Sequence, residues 1–405
     1  MSAPPPVLAA PHRPWFLLGV VSAVLSMTWW LLFWLGVGFA PQHVLAPAVP
    51  PGHAHGLLMS HGLFGFFIFG FLSTVFPKWQ RQPALDRAAW LPGVVLGALG
   101  FALTLVGTVG GRAWLGAGVG LLALSHAAAS LPLVRVFVQA GEHRALHAWV
   151  SLLGLAGGQL ALLAFLVGLV QGDAVWTGRA LDASVWAFLL PIYATVCHRM
   201  VPFFSRCVYP DDVMHRPTWP LFLIVGGAAG QLALTWSGAA AWAWTAHLTA
   251  ALGAGYLAVV WRPWQCWRPA LLGSLHLGFA WLPVSLLLFA AQSVTLASTG
   301  RLFAARAPLH ALTIGMFGTL MVAMVTRVSR GHSGRSLEMS RPVQALVWLV
   351  QVVVLVRIGG ELLAGGPGGL HATLAAAGLW LLVAGTWAAI HGPMYWTPRA
   401  DGRPG

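Results

Sequence analysis

The chain has 405 residues, of which 58% are apolar or aromatic and only 8% carry a formal charge, with a net charge of +13. A soluble domain devotes roughly a quarter of its residues to charge, so this chain cannot coat itself with a solvated surface. A cytosolic enzyme, a disordered regulator and a disulfide scaffold are excluded, and a polytopic α-helical membrane protein remains. The basic residues stand singly or in small groups between apolar blocks, without the continuous stripe that nucleic acid requires. Cys197, Cys207 and Cys266 are an odd set with no C-x-x-C spacing.

Apolar segments of spanning length fall at 15–39, 56–77, 89–109, 113–134, 146–170, 184–204, 219–237, 240–261, 271–291, 309–328, 343–364 and 371–391. They predict an all-α membrane bundle of about twelve helices: an N-terminal tail over 1–14, one transmembrane domain over 15–391 and a C-terminal tail over 392–405. The opening Met-Ser-Ala-Pro-Pro-Pro has no basic stretch before the first span, so that span does not read as a cleaved signal. With the N-terminus inside, 17 basic residues fall on inner segments and four (Arg112, Arg179, Arg301, Arg306) on outer loops, while Arg357 lies within a span. The asymmetry predicts both termini in the cytoplasm. No soluble domain, long linker or internal repeat is legible.

Sixteen histidines are the sharpest feature, because an ionisable group inside a membrane costs free energy and marks a site by default. His53, His55, His61, His310 and His371 open spans at the outer face; His126, His198 and His276 lie toward the inner half. Imidazoles at matching depth on different helices can hold a haem between them, and the same ligand suits copper. His53-Ala-His55, with Met59 one turn on, is a candidate copper pair. For any single histidine, a cap or a loop hydrogen bond explains its presence as well.

Other features have plainer readings. Gly315 and Gly318 in the tenth span suit close helix packing, and Arg327, Arg330 and Arg335 after it suit ordinary topology. Cys197 and His198 are adjacent, so they point about 100° apart on a helix and do not share one ion. Arg357 and Glu361 stand four apart and can neutralise one another. There is no Walker loop, no H-E-x-x-H and no C-x-x-C-H. The His-Pro-Glu stretch and adjacent His-His pair of a haem–copper oxidase are missing too, although the number of spans would fit.

Four stretches together resemble the NnrS family: His310-Ala-Leu-Thr-Ile-Gly through Thr326-Arg327-Val328 to Gly331-His332-Ser333-Gly334-Arg335; Arg199-Met-Val-Pro-Phe-Phe-Ser; Gly70-Phe-Leu-Ser-Thr-Val-Phe-Pro77; and His276-Leu-Gly-Phe-Ala-Trp-Leu-Pro283. The resemblance implies a twelve-helix bacterial inner-membrane protein that binds haem and copper and contributes to nitric oxide tolerance or denitrification. It carries over most directly to His310, His276, Arg199, Arg327 and His332. Where the family often reads His-Ala-His-Glu, this chain has Gly56 after His55, and His61 is additional.

The expected haem ligands are therefore His310, His276, His61 and His198, and the expected copper ligands His53, His55, His61 and His310. Membrane lipid, nitric oxide and a respiratory electron donor are the expected partners, and nucleic acid is not. A transporter or metal-trafficking protein is the alternative reading; a structural partner of a respiratory complex is a third.

Overall fold

The structure, a computed structural model, describes residues 5–44, 47–210, 214–363 and 366–403. Among the described residues every regular element is a helix, and twelve are long and apolar enough to cross a membrane. They are α1 (His12–Phe39), α2 (Pro51–Trp79), α3 (Arg87–Gly110), α4 (Arg112–Gln139), α5 (Leu146–Gln171), α6 (Ala174–Val208), α7 (Trp219–Trp236), α8 (Ala240–Gln265), α9 (Ala270–Thr299), α10 (Ala307–His332), α11 (Arg341–Leu362) and α12 (Pro367–Trp396). Of the two tails, residues 1–4 and 404–405 lie outside the described residues.

Local chemistry sets the helix boundaries. Proline stands in the first turn of α2, α7, α10, α11 and α12, where its missing N–H costs nothing. Gly172 and Gly300 end α5 and α9 in the left-handed conformation, at φ 72° and 66°. Asp173 then caps α6 by accepting the Val175 and Trp176 N–H groups. The α6 helix thus begins ten residues before the apolar segment that announces it. Arg179 and Asp182 lie in its first turns and hide that start from hydropathy.

The bundle repeats, although the sequence shows no repeat. Within α2, α6 and α10 the helix widens to π geometry over Leu58–Phe64, Ser184–Leu189 and Ala311–Gly318. These segments start 126 and 127 residues apart. Each is the second helix of a four-helix unit, and the third and fourth helices of every unit (α3 with α4, α7 with α8, α11 with α12) pack along each other. Four crossings return the chain to its starting side, so all three units share one orientation. The second helices form the middle: 83%, 67% and 72% of their most apolar windows are buried, against 33–61% for the other nine. Outward residues such as Leu160, Val170 and Leu252 are more than 60% exposed, as a lipid-facing surface requires.

Small residues let the outer helices touch backbone to backbone. A methyl group at Gly100 of α3 would stand 2.7 Å from the Leu122 nitrogen of α4, the close approach that substitutes for a hydrophobic drive in lipid. Gly315 and Gly318 of α10 play the same part, receiving Trp281 and Trp380 at 2.7 and 2.9 Å from the position a Cβ would take. The chain ends meet on one side of the bundle, here the terminal side. There buried Arg13 donates to the carbonyls of Pro6 (3.1 Å) and Thr397 (2.8 Å). On the same side Arg399 pairs with Asp401 at 2.6 Å, and that bond holds the Asp401 carboxyl well below the usual carboxylate range.

Candidate functional site

A cavity of ≈ 450 Å³ opens in the middle of the bundle toward the side opposite the termini. All three π segments border it. Each takes an i→i+5 bond in place of i→i+4, and such widened turns recur at functional sites because they re-aim side chains within an otherwise regular helix. Most of the wall is apolar, with Leu63, Val353, Ala376 and Trp380 among it. The polar groups on it include three histidines (His53, His55, His310), two arginines (Arg306, Arg357) and one carboxylate (Asp182).

The hydrogen bonds behind two of these histidines fix their tautomers. His310 Nδ1 lies 2.8 Å from the Arg306 carbonyl. A carbonyl only accepts, so Nδ1 carries the hydrogen and Nε2 keeps its lone pair. His53 Nδ1 lies 2.9 Å from the Thr177 hydroxyl, whose own hydrogen goes to the Ala174 carbonyl at 3.1 Å. The ring therefore donates to Thr177 and likewise keeps Nε2 as a base. His55 stacks on Trp30, with ring centres 4.2 Å apart, and its buried Nδ1 has no protein partner.

The arginines are held from the rear. Arg357 and Glu361 form an ion pair at 2.6 Å, both largely buried. The other Glu361 oxygen accepts the Arg306 backbone N–H at 3.1 Å. One carboxylate from α11 thereby orients the Arg357 guanidinium and fixes the start of α10, which carries His310.

The remaining candidate residues lie elsewhere. His61, one turn and a half below His55, turns away from the cavity toward Ser184 and His126. His198 bonds His147 at 2.9 Å and the Pro217 carbonyl at 2.8 Å, while its neighbour Cys197 faces a small apolar gap among α2, α6 and α10. His276 lies 3.4 Å from the Ser205 hydroxyl. Arg199 and Arg327 sit over the rings of Trp79 and Phe204, 5.0 and 3.9 Å from the ring centres, and His332 packs against His12 on the terminal side. The four expected haem ligands thus occupy four separate surroundings. Of the expected copper ligands, three share the cavity and His61 does not. Among the described residues no three histidine, cysteine or acidic side chains converge as a metal site would need.

Asp182 is the cavity residue that sequence reasoning missed, because the sixth span was expected to begin at 184. The Asp173-Ala174 cap signature was the signal that could have found it. Thr177 and Trp30, which position His53 and His55, carry no pattern of their own.

The donor set fits a haem. The cavity volume lies in the range of cofactor sites, the locked Nε2 of His310 is the atom an iron would take, and the Arg306 guanidinium on the same wall would suit a carboxylate. The same cavity does not fit a copper centre of three or more ligands.

No curated protein matches the chain. Residues 6–399 match the family described as NnrS protein. That match takes in all twelve spans and every wall of the cavity, and the chain belongs to the NnrS family.

Proposed function

We propose that this protein is a haem-carrying protein of the bacterial inner membrane that takes up nitric oxide in the cavity bordered by the three π segments. The observation that carries the reading is His310: its Nδ1 hydrogen is committed to the Arg306 carbonyl, so its Nε2 is held as a ligand on the wall of a space of cofactor size. A bound haem supplies an iron with a position at which a diatomic ligand coordinates. The Arg306 guanidinium would meet one of its carboxylates, while Glu361 pairs with Arg357 and fixes the Arg306 backbone. Asp182, within electrostatic reach of Arg306, offers the cavity an acid–base group. The apolar wall from α11 and α12 excludes water from the reacting face.

The test is an optical spectrum of the detergent-purified, reduced protein before and after nitric oxide, with iron counted on the same sample. A Soret band that moves with nitric oxide in wild type and falls at least tenfold per polypeptide in His310→Ala supports the reading. A colourless, iron-free protein from haem-replete cells would sink it in favour of transport.

A further inference from the structure

Beneath the cavity three rings, one from each middle helix, close the axis of the bundle. Phe64 on α2 borders the cavity; its ring centre lies 6.1 Å from Tyr193 on α6 and 5.9 Å from Phe317 on α10. Tyr193 and Phe317 are 4.4 Å apart. Beyond these rings lies the gap that Cys197 faces, a space of ≈ 50 Å³ bounded by α2, α6 and α10 alone. It starts just past the π segment of each helix, at Phe67, Ile192 and Leu320.

A protein interior packs as densely as an organic crystal and leaves few voids larger than a water molecule. This one is walled by side chains that are themselves buried, among them Phe71, Leu72 and Met324. Tyr193 brings the wall its one hydroxyl and Cys197 its one thiol. A trapped water needs about two to four hydrogen-bond partners, and a thiol is a weak one. Such a wall favours an apolar guest, as dry apolar cavities take up xenon. On the order of 10–15 Å³ suffices for one water-sized molecule, so a diatomic gas fits. An ion would find neither a carboxylate nor an imidazole there.

Apolar space continues from this gap to the cavity by a second way. Phe67, Met321 and Val325 border both the gap and a smaller one of ≈ 20 Å³ among α1, α2, α10 and α12. Trp380 borders both that smaller gap and the cavity. We propose that the gap among α2, α6 and α10 is a binding site for one small apolar molecule, a diatomic gas, held behind the three rings. Phe64, Tyr193 and Phe317 divide it from the cavity along the axis, and Trp380 divides the flanking way from the cavity. That the gap keeps a supply for the cavity rests on the function proposed above; its occupancy by gas does not.

The experiment uses xenon as the probe, on the detergent-purified full chain. Anomalous difference density from xenon-pressurised crystals is expected to place one atom against Cys197 and Leu320. In solution, the infrared S–H stretching band of Cys197, identified by its loss in Cys197→Ala, is expected to shift under xenon. Val196→Phe puts a ring into the gap and is expected to hold less than about a tenth of the wild-type xenon. Met324→Ala enlarges the gap and is expected to hold at least as much as wild type, and Leu160→Phe on the exposed face of α5 to match it. Ordered water in the gap, xenon confined to the cavity or the outer surface, an S–H band that ignores xenon, or wild-type occupancy in Val196→Phe would each overturn the proposal. Loss of xenon in Met324→Ala would do the same. Xenon in the gap of a protein without haem keeps this site and removes the cavity reading, and haem without xenon does the reverse.

Discussion

At the scale of single residues, the imidazoles are organised by the groups behind them rather than by their own spacing. His53, His61, His126 and His310 each present a ring nitrogen to a backbone carbonyl or to a hydroxyl already committed as a donor, and that choice decides which nitrogen stays basic. Their depth along the chain was legible from the spans. Their grouping was not, because a π turn between His55 and His61 changes the face on which the second ring emerges. The glycine beneath His126 gives this scale a test. Gly158→Ala would put a methyl 2.7 Å from His126 and 2.8 Å from Phe188, an overpacking worth about 1–3 kcal/mol. Gly120→Ala on α4 meets nothing within 4 Å and gains helix propensity of up to about 1 kcal/mol. Thermal unfolding in detergent should lower the midpoint in the first and hold or raise it in the second. Equal midpoints would show that the close packing around His126 is soft.

At the scale of elements, the three π segments connect the middle of the bundle to its chemistry. Each adds a residue to a helix that would otherwise run regularly through the cavity wall, and in α10 it lies directly after His310. Deleting Thr313 should let that stretch close as an α-helix and re-aim His310 against the terminal half of α10. The deletion variant should insert with normal helix content by circular dichroism yet retain less than a tenth of the wild-type haem per polypeptide. Removing Glu142 from the exposed loop between α4 and α5 should leave haem content as it was. Full haem in the Thr313 deletion would separate the π geometry from the site. Hydropathy read the existence of all twelve helices correctly, because a spanning helix needs only length and apolar composition. It read neither the π segments nor the start of α6, since an extra residue per turn leaves composition unchanged and charged first turns look like loop.

At the scale of the whole molecule, three units of one orientation surround a cavity that opens toward the side opposite the termini. The basic residues predict that the cavity opens away from the cytoplasm. Fluorescent-protein fusions at the C-terminus should be bright, and alkaline phosphatase inserted at Gly300, between α9 and α10, should be active. The reverse pattern would place the cavity mouth inside. The repeat was invisible in sequence because what recurs is the position of a backbone distortion, with His61, Ala187 and Ile314 occupying comparable places in the three segments. The cavity wall draws on α1 and α2 at one end of the chain and on α10, α11 and α12 at the other, as far as Trp380. During synthesis the first four-helix unit is therefore threaded into the bilayer long before the chamber it helps to bound exists. Any prosthetic group must arrive after the ribosome has nearly finished, so cells starved of that group should accumulate a fully inserted, hollow protein that can be filled later without new translation.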